Sequence, residues 1–470
     1  MTFVRYKRFG KQEYAYEINA MWDAKKKKPY QKSKYLGVVI DKRKKLFEKK
    51  SPKPKSEKLI LDFGDSYVLN DFLEKSGIIN LIRRVFDNVS DFVLAMINYR
   101  LCYPSAMKYA QTWFEANYIK QLYKNINLNS QRISDFLKII GEEEIQRTFF
   151  KEYISNFINT KQGVIIDATS LPNQIHIPLT EWGKSGEEID KQIRFLLVVD
   201  KKLEVPLFFR YFSGSIVDVS TLKNTIAELE KFGIEQTFVY LDAGYFSEDN
   251  IKELYSEKIH FLTRLPSNRV LYKELINAET KDLERFSNRV IYGKRALFIK
   301  QKKIDLFGED AYAHIVLDPQ RRGRETNKLM LTADEEQEED IEYLLKTRGI
   351  MIVISSFKIK KEEVVPAYYV RQTAEKMFGF SKDDLEIIPL RVHTEQALRG
   401  FLLIQFISLI VFVQLMNALG NKHTVEELLL TMRNLKCKVY DDEIIVSEVT
   451  KKQRILAEKL GILMPKRVGI

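Results

Sequence analysis

Read only for apolar and polar positions, the chain changes texture several times. Residues 1–62 read as short strands and turns, with weak alternation in KYLGVVID. KYLGVVID ends in β-branched residues, and Phe9-Gly10 and Leu36-Gly37 have the composition of turns, which predicts short strands. Lys49 to Lys58, with Pro52 and Pro54, reads as a linker. From about Asp65 to Phe150 apolar residues fall three and four apart, in NDFLEKSGIINLIRRVFD, MINYRLC and KYAQTWFEANYIKQLY, which predicts helices. Asn129-Ser130 before QRISDFLKII predicts a capped helix start.

Near residue 160 the pattern turns to short apolar runs. GVIIDATS, RFLLVVD, VPLFFRYFSG, TFVYLDAGYFS and IHFLTRLP read as strands. VDVSTLKNTIAELEKFG, starting near Asp218 or Ser220, and SEDNIKELYSEK read as helices between them. Strands with helical crossovers predict an α/β sheet. Residues 267–345 interrupt it: RVIYGKRALFIKQKK and AYAHIVLDPQRR read as hairpin strands, and the acidic run ADEEQEED as a solvated face whose charges repel. RGIMIVISS returns to a buried strand, and AYYVRQTAEKMFGF is helical. Gly400 to Leu419 is long and apolar enough to cross a bilayer. It stands alone and carries Gln405, Ser408, Gln414 and Asn417, so a central helix of a large soluble core is the better reading. No repeat of fixed period is visible.

Length and composition narrow the class. A chain of 470 residues suggests roughly three domains. With 45% hydrophobic and 30% charged residues, disorder, collagen and small disulfide scaffolds are excluded as descriptions of the whole. Cys102 and Cys437 are too few for a cysteine metal cluster and fit a reducing compartment. The opening MTFVRYKRFGKQ lacks the apolar run of a secretion signal. Charge is concentrated at one end: the first 60 residues hold 19 Lys/Arg and six acids, a net +13 against +12 for the whole chain. Such a footprint fits a polyanion, most often nucleic acid, or else a solubilising surface. Lys25, Lys26, Lys27 and Lys28 are its densest run. With the helical region that follows, this segment is the candidate for DNA docking, although no helix-turn-helix is identifiable.

Two acids carry the chemistry. Asp167 and Asp242 each end an apolar run in the same expected sheet, and active groups of open α/β sheets gather beyond strand ends. Two carboxylates brought together there call for a cation, and oxygen ligands suit Mg2+ or Mn2+. The bland alternative is that each acid caps a loop or helix. Tyr368, Arg371, Glu375 and Lys382 form a third element: at about 100° per residue they fall within a wedge of about 60° on a continuous helix, with Gly379 a possible break before Lys382. A carboxylate between cations can bind metal while the cations hold phosphate oxygens; an i,i+4 pair of Arg371 with Glu375 is the plainer account.

These residues resemble the IS4-type superfamily of transposases, most of all its IS1634 branch. The spacing Tyr368-x2-Arg371-x3-Glu375-x6-Lys382 is similar to that superfamily's signature, and Asp167 in VIIDATS and Asp242 in VYLDAGYFSEDN to its two strand-borne acids. KYLGVVID and SQRISDFLKIIG also resemble the branch. The resemblance implies an α/β fold: a ribonuclease H-like mixed sheet with a β-rich insertion, preceded by a helical N-terminal region. It implies a basic β-rich segment at 1–62, a helical DNA-binding region at 63–158, and a catalytic core at 159–266 and 346–420. A separate, mostly β insertion at 267–345 would interrupt that core, and a helical region at 421–470 would close the chain. It further implies cleavage of phosphodiester bonds at element ends and transfer of the freed 3′-OH to target DNA. Asp167, Asp242 and Glu375 would be catalytic metal ligands for Mg2+ or Mn2+, two ions per active site. Tyr368, Arg371 and Lys382 would bind DNA phosphates. The implied partner is double-stranded DNA, as terminal inverted repeats and as target, handled by a homodimer assembled on it. No membrane is implied, and the implied setting is the bacterial cytoplasm and nucleoid.

Other residues are open to two readings. Trp182 with Lys184 suits stacking on an unpaired base or ordinary packing. Lys294, Arg295, Arg321, Arg322 and Arg324 suit contact with DNA ends or solvation of a hairpin. His176, His260, His314, His393 and His423 lack tight metal-ligand spacing. Two rivals share these features: a metal-dependent nuclease without strand transfer, and a non-catalytic DNA-binding protein, which leaves the acids unexplained.

Overall fold

A computed structural model describes the chain except residues 1, 11, 24, 25, 50–57, 159–162, 174, 176, 186, 187, 217, 235–237, 333–337 and 470. The expected linker core, the first part of the acidic run, His176 and Lys25 lie outside the described residues. Two compact units form: Met1–Ile60 with Lys438–Ile445 and Arg467–Ile470, and Leu61–Cys437 with Val446–Lys466.

The first unit is built on an antiparallel sheet in the order β1 (Thr2–Phe9), β2 (Gln12–Asp23), β3 (Lys28–Asp41), β4 (Leu46–Glu48). The strands are longer than the turn signals predict. Gly10, at positive φ, lies between β1 and β2 as expected. Leu36-Gly37 is no turn: Gly37 lies inside β3 at φ +137°, where a Cβ would stand 2.6 Å from the Glu48 backbone. Glycine there permits the close approach of β4, next to a register shift at Ala15/Tyr16. The expectation of a helical region at 421–470 also needs correction. Helices Val425–Arg433 and Lys451–Lys459 form, but Glu443–Val446 and Arg467–Gly469 pair as strands.

The strand β5 (Leu59–Asp62) begins in the first unit and leads into the second, whose helices lie between Gly64 and Phe157. Asn129 caps the helix Ser130–Ile140, its side chain accepting the Arg132 N–H at 2.9 Å. The long apolar segment becomes the helix Glu395–Leu419, buried along most of its length. It packs on the helices Ser90–Cys102 and Ser130–Ile140 and on one strand of the central sheet. Two glycines set that approach: a Cβ at Gly400 would lie 2.0 Å from the Leu137 carbonyl, and one at Gly141 would lie 1.9 Å from that of Gln396.

The rest is a mixed α/β arrangement around one large sheet. Its strands are β6 (Val164–Pro172), β7 (Glu181–Ser185), β8 (Glu188–Asp200), β9 (Pro206–Ser213), β10 (Phe238–Leu241), β11 (His260–Arg264), β12 (Arg289–Tyr292), β13 (Arg295–Leu306), β14 (Glu309–Leu317) and β15 (Ile350–Ser355). They lie in the order β12-β13-β14-β15-β11-β10-β6-β8-β7, with β9 also paired to β8. β6, β10 and β11 are mutually parallel neighbours, while β8 and β15 run antiparallel to theirs. The inner strand β15 is buried at all six residues, as a strand covered on both faces requires.

Residues 267–345 do not form a separate, mostly β insertion. Their strands β12 to β14 continue the central sheet through the β14–β15 ladder, and the segment also holds the helices Val270–Glu279 and Pro319–Thr332. The physical cause is that β15 offers an apolar edge on both faces, which β14 covers with buried Ile315, Val316 and Leu317. AYAHIVLDPQRR is correspondingly part strand and part helix: Pro319 opens the helix, where its missing N–H costs nothing.

Candidate active site

β6 and β10 pair in parallel with Leu241 opposite Ile166, and that register continued by one residue sets Asp242 beside Asp167. Asp242 directly follows its strand, as expected. Asp167 instead lies in mid-strand, because β6 runs on to Pro172 after its apolar part ends. Capping does not account for Asp242: it stands at the start of the short turn Ala243–Tyr245, yet its side chain makes no capping bond.

The third element crosses above these acids. Lys361–Tyr369 and Gln372–Gly379 are separate helices, and Phe380–Asp384 forms a wider π-helical turn. Val370 and Arg371 between them keep right-handed helical angles, so the expected common face survives the break. Tyr368 directs its hydroxyl at Asp242 Oδ1, 3.4 Å away. Arg371 donates from Nη1 to Asp167 Oδ2 at 3.1 Å and pairs through Nη2 with Glu375 Oε1 at 2.7 Å. Its Nε lies 3.7 Å from Asp242 Oδ1. Lys382 donates to Thr169 Oγ1 at 2.8 Å. Sequence reasoning misses Thr169, although the two-residue period of a strand places it on the Asp167 face.

Electrostatics follow from burial. Asp167 is pushed up from 3.8 to about 7, by desolvation above all; Arg371 and the Ala168 N–H oppose this, while Asp242 and Glu375 add to it. Burial works against the charged Arg371 guanidinium, but Asp242, Asp167, Tyr368 and Glu375 outweigh it and hold its pKa above the ordinary value. Burial raises Tyr368 and lowers Lys382, with Arg194 adding to the Lys382 shift and Asp383 opposing it. Three carboxylates share one guanidinium, so two negative charges remain when all three are ionised. Among the described residues no three of His, Cys, Asp or Glu are grouped so as to hold a metal ion, and here Arg371 lies between the acids. The oxygen donors and the surplus charge nevertheless fit a hard divalent cation.

A family model described as the transposase DDE domain matches residues 158–411, more than half of the chain and all three acids. The chain belongs to that family. It is a DDE-type transposase, an enzyme class that acts on DNA. No curated protein matches it. Among solved structures, a piggyBac transposase synaptic complex with hairpin DNA is similar at a TM-score of 0.39 and 12% identity, covering 78% of this chain and 70% of that one.

The transposase distributes its other expected residues unevenly. Trp182 is 62% exposed on β7 and stacks with Lys191, whose Nζ lies 5.7 Å from the ring centroid. Lys184 lies on the same strand. Lys26 and Lys27 form the turn before β3, and Lys28 begins that strand; all three are exposed. Lys294 is exposed between β12 and β13. Arg295 pairs with Asp318 at 2.6 Å, Arg321 with Glu325 at 2.5 Å, and Arg322 with Glu284. These arginines thus hold the region's own acids, and Arg321, Arg322 and Arg324 stand on a helix rather than on hairpin strands. His314 is a core residue between Gln301 and Ser355, lowered to about 4 by burial. Cys102 and Cys437 are buried free thiols.

Proposed function

We propose that this transposase cleaves phosphodiester bonds at the ends of an insertion sequence and joins the freed 3′-OH to target DNA. The observation that supports it is the meeting of Asp167, Asp242 and Glu375 on one guanidinium, from two adjacent strands and a crossing helix. Asp167, Asp242 and Glu375 would hold Mg2+ or Mn2+, two ions when fully loaded. Such ions supply activation of water and stabilisation of the leaving oxygen. Arg371 and Lys382 would orient DNA phosphates, and Tyr368, against Asp242, would fix the level at which the phosphate enters. No protein nucleophile is required, since phosphate passes directly between oxygens. The mixed sheet and the residue pattern support a ribonuclease H-like core of the IS4 superfamily, nearest its IS1634 branch. The partners would be terminal inverted repeats and target duplex, held by a homodimer assembled on DNA in the bacterial cytoplasm.

The test supplies cognate element ends, target duplex and Mg2+, and looks for joined molecules. Cleaved ends without joined products would reduce the protein to a nuclease; bound but intact DNA would reduce it to a DNA-binding protein.

A further inference from the structure

Arg371 stands where a cation is needed. Each of its three guanidinium nitrogens faces a different acid: Nη2 faces Glu375 at 2.7 Å, Nη1 Asp167 at 3.1 Å and Nε Asp242 at 3.7 Å. An ordinary i,i+4 ion pair accounts for Glu375 only; the other two contacts reach across to two strands. The seat is imperfect. Nε is buried and makes no hydrogen bond, and one positive charge faces three negative ones. With each nitrogen turned to a carboxylate, the guanidinium can meet a DNA phosphate face-on only by turning away from the acids. The two duties therefore compete for one side chain.

We propose that Arg371 is an exchangeable counter-cation: it holds Asp167, Asp242 and Glu375 together while no divalent ion is bound, and moves onto a DNA phosphate when one enters. This rests on the reading of the three acids as metal ligands. Metal and DNA then bind cooperatively, because each favours the same displaced position of Arg371, and the coupling is reciprocal. A DNA-free enzyme carries a partly neutralised site, whose appetite for metal stays reduced until a DNA backbone draws Arg371 away.

The first test measures Mn2+ binding by electron paramagnetic resonance without DNA, in folded wild type, Arg371→Gln, Arg371→Lys and Glu375→Gln. Arg371→Gln removes the competing cation and should bind Mn2+ about tenfold more tightly, a typical coupling between linked sites. Arg371→Lys keeps the charge but cannot span three carboxylates, so it should fall between the two. Wild-type affinity in Arg371→Gln overturns the exchange, and wild-type affinity in Arg371→Lys reduces it to a long-range charge effect. If Glu375→Gln binds Mn2+ as wild type does, the metal-ligand reading fails first and takes the exchange with it.

The second test needs no turnover. The salt dependence of binding to an uncleaved duplex is compared in chelator and in Ca2+. Release of Arg371 onto a phosphate should steepen the wild-type slope by about 0.9. Arg371→Gln should show no such change; an equal change in both proteins assigns the effect to the ion itself and overturns the proposal.

Discussion

The β1–β4 sheet and the crossing of β6, β10 and the Tyr368–Lys382 segment both hold charge, under opposite physical conditions. In the sheet, the Lys42–Glu13 pair leaves its side chains 53% and 32% exposed. In the site, Arg371 and Asp167 are exposed to 17% and 10%. Water and salt screen the first kind of charge, so a single lysine there has little effect on stability while many together attract a polyanion. The second kind is poorly screened, so each group shifts the others and each position matters. Counting charges found the first region; the second is net acidic and becomes visible only through the spacing of a few residues.

The largest expected difference is catalytic. Glu375→Gln should lower metal-dependent strand cleavage at saturating DNA by at least about a hundredfold, because charge at the reacting phosphate is lost. DNA affinity should stay the same or rise, since less negative charge faces the backbone. Near-normal cleavage by the folded variant would leave Glu375 a mere partner of Arg371. Glutamine in place of Lys26, Lys27, Lys28, Lys32 and Lys34 should act in the converse way. It should flatten the salt dependence of duplex binding by up to about 0.9 for each phosphate no longer neutralised, without a change in melting temperature beyond a degree or so. An unchanged slope would remove this sheet from the DNA interface.

A smaller effect separates the regions by pH. Asp167 titrates at 3.8 unfolded and at about 7 folded. Between those values the folded chain binds more protons than the unfolded one, so Asp167 makes stability fall as pH rises from about 4 to about 7, and the loss persists above. In chelator at pH 8, Asp167→Asn should therefore melt higher than wild type, by roughly 2–4 °C, and the margin should vanish near pH 4. A margin independent of pH would show that packing, not charge, is responsible. The smallest effect concerns Trp182→Ala. If the exposed ring stacks on a base, binding to single-stranded DNA should weaken by about 1–3 kcal/mol, while duplex binding and melting temperature hold.

Local regularities made much of this legible. The strands β6, β8, β10, β11 and β15 were readable because buried strands are apolar runs, and the helical segment from Tyr368 to Lys382 because its four residues keep one face across the break. The Asn129 cap was readable from residue type. What escaped depends on partners distant in sequence. Nothing in AYAHIVL says that its neighbour is β15 rather than a second insertion sheet. Gly37 has the composition of a turn and serves a close strand approach instead. The place of Arg371 among three acids needs β6, β10 and a helix some 130 to 200 residues later in the chain, so sequence could show a wedge of residues but not what fills its centre.

The helix Glu395–Leu419 imposes an order of events on synthesis. The helices Ser90–Cys102 and Ser130–Ile140 pack on it, yet it follows them by about 250 residues or more. At 5–20 residues per second a ribosome needs roughly 13–51 s to make the 254 residues between Ile140 and Glu395. For that time the chain displays apolar faces whose partner does not exist, and the late partner is itself greasy enough to be mistaken for a membrane anchor. Premature termination before residue 395 thus yields a product without its central support, a natural substrate for chaperones and proteases.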